Sequence, residues 1–186
     1  MTGYNAQQII NDFNLNANGA QVDNTQYSGT PTTSTKFSNA WDIGPGVSAA
    51  NSCWRLTVIG QTVMGTSSLG QTWSLVFGPT ITSSINICVS GTTNYPAQPA
   101  SSTWIWTATA FLVVLTGGAA GTCIVIGRVD AGQVPNNSSI DAAVGGVAPA
   151  AWNTTTDNTL TFFTNMSGST GTPVITTFCS SFERLS

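Results

Sequence analysis

Between Thr103 and Leu115 the chain reads TWIWTATAFLVVL, with Trp104, Trp106, Ala108, Ala110, Leu112 and Val114 at every second position. Wound into a helix, those side chains would scatter around the axis; in an extended strand they share one face. The run therefore predicts a long strand whose apolar face needs a second layer to cover it. The Gly117-Gly118-Ala119-Ala120-Gly121 stretch that follows is a turn signal, and Thr122 to Val129 is the predicted hairpin partner.

The same alternation recurs elsewhere. Cys53 to Val63 sets Trp54, Leu56 and Val58 against Arg55, Thr57 and Ile59, and Thr72 to Phe77 aligns Trp73, Leu75 and Phe77. Ile81 to Val89 places Ile81, Ile85, Ile87 and Val89 together, and Leu160 to Asn165 and Pro173 to Leu185 close the chain. Short strands divided by turn signals predict an all-β sandwich or barrel, and no fixed-period repeat argues for a solenoid or propeller. Gln133 to Asn153 breaks the rhythm with its run of small residues. It is expected to be a long crossing loop packed by Trp152, with a ligand-binding loop as the alternative.

Residues 1 to 50 differ from the remainder. Ala6 to Leu15 predicts one short helix with Ile9, Ile10 and Phe13 on one side, too short to stand without a docking surface. Asn16 to Ser38 is rich in Asn, Thr, Ser and Gly and is expected to be an extended arm, ended by Trp41 and the Gly44-Pro45-Gly46 turn. The expected organisation is an arm over 1–50 and a β domain over 51–186.

Composition narrows the function. Only 6% of the 186 residues are charged, against about 25% in ordinary soluble domains. The surface must be made of Thr, Ser, Asn, Gln and Gly, hydrated without a strong field. The cations Lys36, Arg55, Arg128 and Arg184 are scattered and form no basic stripe, so nucleic acid is not an expected partner. No apolar stretch has the length of a membrane span, so no membrane partner is expected. The N-terminus carries no secretory pattern, which predicts synthesis in a cytoplasm without export.

Catalysis has few candidates. The chain has no His, which removes the commonest general base and every Ser-His or Cys-His pair. Asp130 and Asp141 flank the small-residue stretch, but their spacing does not demand that they meet, and Asp130 reads as a turn cap. Cys53, Cys88, Cys123 and Cys179 lie far apart, each in a strand-like run. They read as buried free thiols, with disulfides or a four-cysteine zinc site as alternatives. No calcium loop or phosphate loop is present. The expectation is a protein that is not an enzyme and has no cofactor or metal.

An ordered series of features runs from Cys53 to Leu185: Trp54-Arg55-Leu56 early, the long strand opening on Trp104, Gly121-Thr122 after a Gly-rich turn, Gly127-Arg128, and a Thr-rich last strand from Thr176 to Glu183. In order and spacing this series resembles tailed-phage virion structural proteins with a jelly-roll domain. It differs in its central strand, where Thr107 to Phe111 carries no Arg. The resemblance implies an antiparallel jelly-roll-like β-sandwich, a homotrimer, and a role in the virion as a capsid decoration (cement) or head-fibre protein. The partner is then the major capsid protein, with Ile9, Ile10, Phe13 and Trp41 as apolar anchors of the arm. The alternative is a receptor-binding or carbohydrate-binding tip that meets a host surface glycan. Tyr95, Trp104 and Trp152 are its candidate ligand or interface residues, and core packing competes for each.

Overall fold

Alternation fixes which side chains each strand can bury, and the protein follows it closely. The structure, a computed structural model, describes residues 25–28, 35–36, 41–64, 70–77, 85–89, 93–94, 102–134, 138–145, 149–166 and 173–186. Thirteen strands make it up and no helix lies among the described residues. In chain order they are β1 (Thr25–Ser28), β2 (Thr35–Lys36), β3 (Trp41–Ile43), β4 (Cys53–Val63), β5 (Gly70–Phe77), β6 (Ile85–Val89) and β7 (Thr93–Asn94). The second half adds β8 (Thr103–Thr116), β9 (Thr122–Val134), β10 (Ser139–Gly145), β11 (Ala150–Ala151), β12 (Asn158–Met166) and β13 (Val174–Arg184).

The strands form two antiparallel sheets. The larger runs β1-β13-β4-β8-β9-β10, with β11 also on β9; the smaller runs β2-β12-β5-β6, with β3 on β12 and β7 on β5. The first long strand pairs with the last, β4 with β13, and the next inward pair, β5 with β12, belongs to the other sheet. The chain thus passes from sheet to sheet as a paired ribbon, which is the winding of a jelly roll. The fold is an all-β, antiparallel, jelly-roll-like sandwich.

The predicted hairpin of β8 and β9 is present, in register from Thr103↔Val134 to Thr116↔Thr122 with one irregularity near the turn. Gly118 adopts φ 96° at that turn, a backbone region that side chains disfavour. Thr154 braces it: Gly118 N donates to Thr154 Oγ1 at 2.7 Å and Thr154 N donates to Gly118 O at 3.1 Å.

Three expectations are corrected. The stretch from Gln133 to Asn153 is no crossing loop: β9 continues to Val134, β10 returns antiparallel along it, and β11 adds a short second pairing. Alternation was weak there because β10 (SIDAAVG) is an edge strand in which Ile140 and Ala142 are only partly buried against the core. Asp130 caps no turn, since it lies within β9 opposite Asp141. Residues of the expected arm also enter the sheets: β1 extends the larger sheet beside β13, and β2 and β3 line up on β12. The predicted helix from Ala6 to Leu15 lies outside the described residues.

The core is aromatic. Trp54, Trp104, Trp106 and Trp152 are fully buried with Leu112, Leu160 and Phe182. Trp54 stacks on Phe182 at 5.3 Å with 6° between the rings, and Trp106 meets Phe162 of the smaller sheet at 6.1 Å. Gly60 on β4 makes room for Trp106, because a Cβ there would run into the indole.

A polar chain crosses this core. Trp106 Nε1 donates to Thr62 Oγ1 at 3.1 Å, Thr62 Oγ1 donates to Gln71 Oε1 at 2.8 Å, and Gln71 Nε2 donates to Thr164 Oγ1 at 2.9 Å. Trp106 and Thr62 belong to the larger sheet, Gln71 and Thr164 to the smaller. All four residues are buried. Thr62→Val keeps the shape but withdraws the acceptor of Trp106 and the donor to Gln71. Losing partners for buried polar groups costs about 2 kcal/mol. Urea unfolding should show a lower midpoint at unchanged slope; an unmoved midpoint would mean that the chain adds nothing to stability.

Candidate functional site

One face of the larger sheet looks inward at the core; the other carries the features that could meet a partner. Its outward positions on β8 and β9 follow from the burial alternation. They pair across the strands as Phe111↔Ile126, Thr109↔Arg128 and Thr107↔Asp130. On the far side of β9 the register continues to β10 with Arg128↔Ala143 and Asp130↔Asp141.

That arrangement opens a cleft of about 450 Å³ lined by Thr109, Phe111, Ile126, Gly127, Arg128 and Asp130. One end is apolar, from Phe111 and Ile126. The other is charged. Arg128 Nη2 donates to Asp130 Oδ1 and, at 3.0 Å, to Asp141 Oδ2. The hydrogen bond to Asp130, then the charges of Asp130 and Asp141, hold the guanidinium proton still more firmly than usual. Asp130 and Asp141 sit directly opposite each other, an arrangement in which like charges repel. Arg128 offsets that repulsion and leaves the cluster with one net negative charge.

Elsewhere the face is nearly uncharged. Its other ion pair joins the cross-strand neighbours Arg55 and Glu183, with Arg55 Nε donating to Glu183 Oε1 at 2.5 Å. Large apolar side chains stand in solvent on this sheet: Ile126 is 54% exposed, Val134 50%, Ile105 44% and Phe178 43%. Phe178 is displayed by a bulge, where the register of β13 against β4 shifts between Thr177 and Cys179.

The residues singled out in the sequence fare differently. Trp104 and Trp152 are corrected: both are 0% exposed, so neither presents a face to a ligand. Trp152 instead closes the core, with Nε1 donating to Ser48 Oγ at 3.2 Å. Trp41 stands in β3, opposite Leu160 of β12. Ile9, Ile10, Phe13 and Tyr95 lie outside the described residues. Arg128, Asp130 and Phe111 were missed as a site, although Arg128 and Asp130, two apart in a strand, necessarily share a face. Asp141 joins them only through the β9–β10 register, which residue types alone do not specify. No group of three or more His, Cys, Asp or Glu that could hold a metal ion occurs among the described residues.

No family model matches the chain, and no curated protein matches it. Among solved structures it is similar to polysaccharide lyase family 18 aly-SJ02, at 8% identity and TM-score 0.30 over 86% of this chain and 88% of that one. It is also similar to a legume lectin-like domain from Entamoeba histolytica, at 9% identity and TM-score 0.26 over 84% and 88%. An alginate lyase from Alteromonas sp. 272 matches at 9% identity and TM-score 0.26 over 86% and 87%. Two of these three are lyases, which runs against the expectation that the chain is not an enzyme but assigns it no activity. That expectation leaned on the absence of His, whereas carboxylates, Lys and Tyr also transfer protons in active sites. At such low identities and TM-scores, what the lyases act on stays with them.

Cys53, Cys123 and Cys179 are free thiols. Cys123 faces the core, and burial pushes its thiol up to about 12 from 9.0. The neutral form is thus favoured by folding. Its contribution to stability is complete below pH 9.0 and is lost as the pH rises from there to about 12. Alkylation at pH 8 followed by peptide mass analysis should leave Cys123 unmodified in the folded protein and modify it in urea. Labelling at equal rates in both conditions would contradict its burial.

Proposed function

We propose that the protein is a structural component of a phage virion, a decoration protein that binds and reinforces the head alongside the major capsid protein. The observation that carries this reading is the outer face of the larger sheet, where Ile105, Val134, Ile126 and Phe178 stand exposed among threonines and few charges. A broad sheet face of this kind suits packing against neighbouring subunits, because it requires little charge desolvation and offers apolar area at several separated points. Five strands spaced about 4.8 Å apart and some ten residues long present roughly 700–800 Å², close to one partner's share of a standard interface.

The arm supplies the second contact. Residues from Thr25 onward join the sheets as β1, β2 and β3, so the segment that reaches for the capsid is the one before Thr25, with Ile9, Ile10 and Phe13 as its anchors. A trimer then binds through several modest contacts whose linkage raises avidity well above that of any single one. The homotrimer and the virion location belong to the same proposal.

Deleting residues 1–24 should leave the β domain folded, with circular dichroism and urea midpoint close to those of the full chain. The shortened protein should no longer sediment with purified particles. Sedimentation equal to that of the full chain would sink the role of the arm. If the full chain is absent from purified particles and does not bind them, the virion reading falls.

A further inference from the structure

A chain with four basic and seven acidic residues in all gathers one Arg and two Asp at one cleft, Arg128 and Asp130 in its lining and Asp141 paired to Arg128 beside them. It does so at a cost to the sheet, since Asp130 and Asp141 are directly opposed. Nothing in the fold needs them: the cluster is solvent-exposed, and neighbouring positions on the same face are filled by Thr and Ala. Both ion pairs run through one guanidinium nitrogen and one oxygen of each carboxylate. The three side chains therefore keep donor and acceptor capacity beyond these two pairs. Thr109, opposite Arg128 and two residues from Phe111 on β8, adds a hydroxyl to the lining.

A ligand for this cleft must satisfy both ends. Phe111 and Ile126 ask for an apolar surface, and the cluster asks for several groups that both donate and accept. Net negative charge disfavours carboxylates, sulfates and phosphates, and the guanidinium already between the two carboxylates disfavours a cation. We infer that the cleft binds a neutral sugar residue, with the C–H face of the ring on Phe111 and its hydroxyls on Asp130, Asp141 and Arg128. On β10, the small side chain of Ala143 stands beside Arg128. The cleft volume of about 450 Å³ lies within the range of about 300–1,000 Å³ typical of small-molecule sites. This inference deepens the alternative of a glycan-binding tip and does not depend on capsid attachment.

The test uses the full chain on an array of neutral, sialylated and sulfated oligosaccharides. Methyl glycosides of glucose, galactose, mannose and N-acetylglucosamine are then titrated by calorimetry. Saturable binding to a neutral sugar is expected, weakened about tenfold or more in Phe111→Ala and in Asp141→Asn, with unchanged circular dichroism. Phe178→Ala, on the other side of the face, should bind as the parent does. No neutral sugar bound, preference for the acidic oligosaccharides, or undiminished binding in Phe111→Ala would each overturn the assignment. Sedimentation of the same samples shows whether a second copy covers the cleft instead. In that case Ile126→Asp separates the copies without exposing a sugar site, which also overturns it. Particle binding by Phe178→Ala, which leaves the cleft intact, reports on the virion reading separately.

Discussion

Two apolar sheet faces laid together can slide past each other at little cost, and a core made only of such contacts does not specify their alignment. The hydrogen-bonded line from Trp106 through Thr62 and Gln71 to Thr164 removes that freedom. Each polar atom in it is buried, so a shift of one sheet against the other would strand donors and acceptors away from water. Trp106 can reach Thr62 because Gly60 opens the space beneath its ring. The same registration lets Trp106 meet Phe162 across the sandwich. Everything on the outer face inherits its position from this inner alignment, since each strand has only two faces to divide between core and solvent.

Scarcity of charge has a structural counterpart. The five ion-pairing acids and bases at the two described clusters are joined to cross-strand or same-face neighbours, as with Arg55 and Glu183, while hydroxyls handle the buried polarity. Arg184 lies over the ring of Trp54 at 5.6 Å, which places a cation against the stacked pair of Trp54 and Phe182. Threonine suits this economy. Its methyl group packs, its hydroxyl is satisfied locally or across the core, and its branched Cβ favours the extended backbone.

Much of this was legible from residue order, for a specific reason. In β4, β8 and β9 one face is fully covered, so alternation in the sequence is strong and marks both the strand and its inward side. Edge strands escape that logic. β10 mixes Ile140 and Val144 with Ser, Asp, Ala and Gly and buries Ile140 and Ala142 only in part, so its residues look like a loop until the pairing with β9 is known. The cleft shares this limit: the two-residue spacing of Arg128 and Asp130 would have put them on one face had Asp130 been read as part of a strand and not as a turn cap, but Asp141 arrives from β10. Tryptophan was ambiguous in the other direction, because its size suits a binding platform and a core equally well. Trp104 and Trp152 proved to be core, and the aromatic ring left at the surface cleft is Phe111.

The nested pairing of β4 with β13 sets the order in which the molecule can come into being. β4 is made with Trp54, Leu56 and Val58 ready to be covered, yet the strand that hydrogen-bonds its free edge follows only after all the other strands of the larger sheet. That edge of β4 stays uncapped until β13 has been made, and the closing contact spans most of the described residues. Folding should therefore be slow. In the interval the nascent chain carries an unpaired, apolar strand edge, the kind of surface that invites chaperones or premature association with another copy.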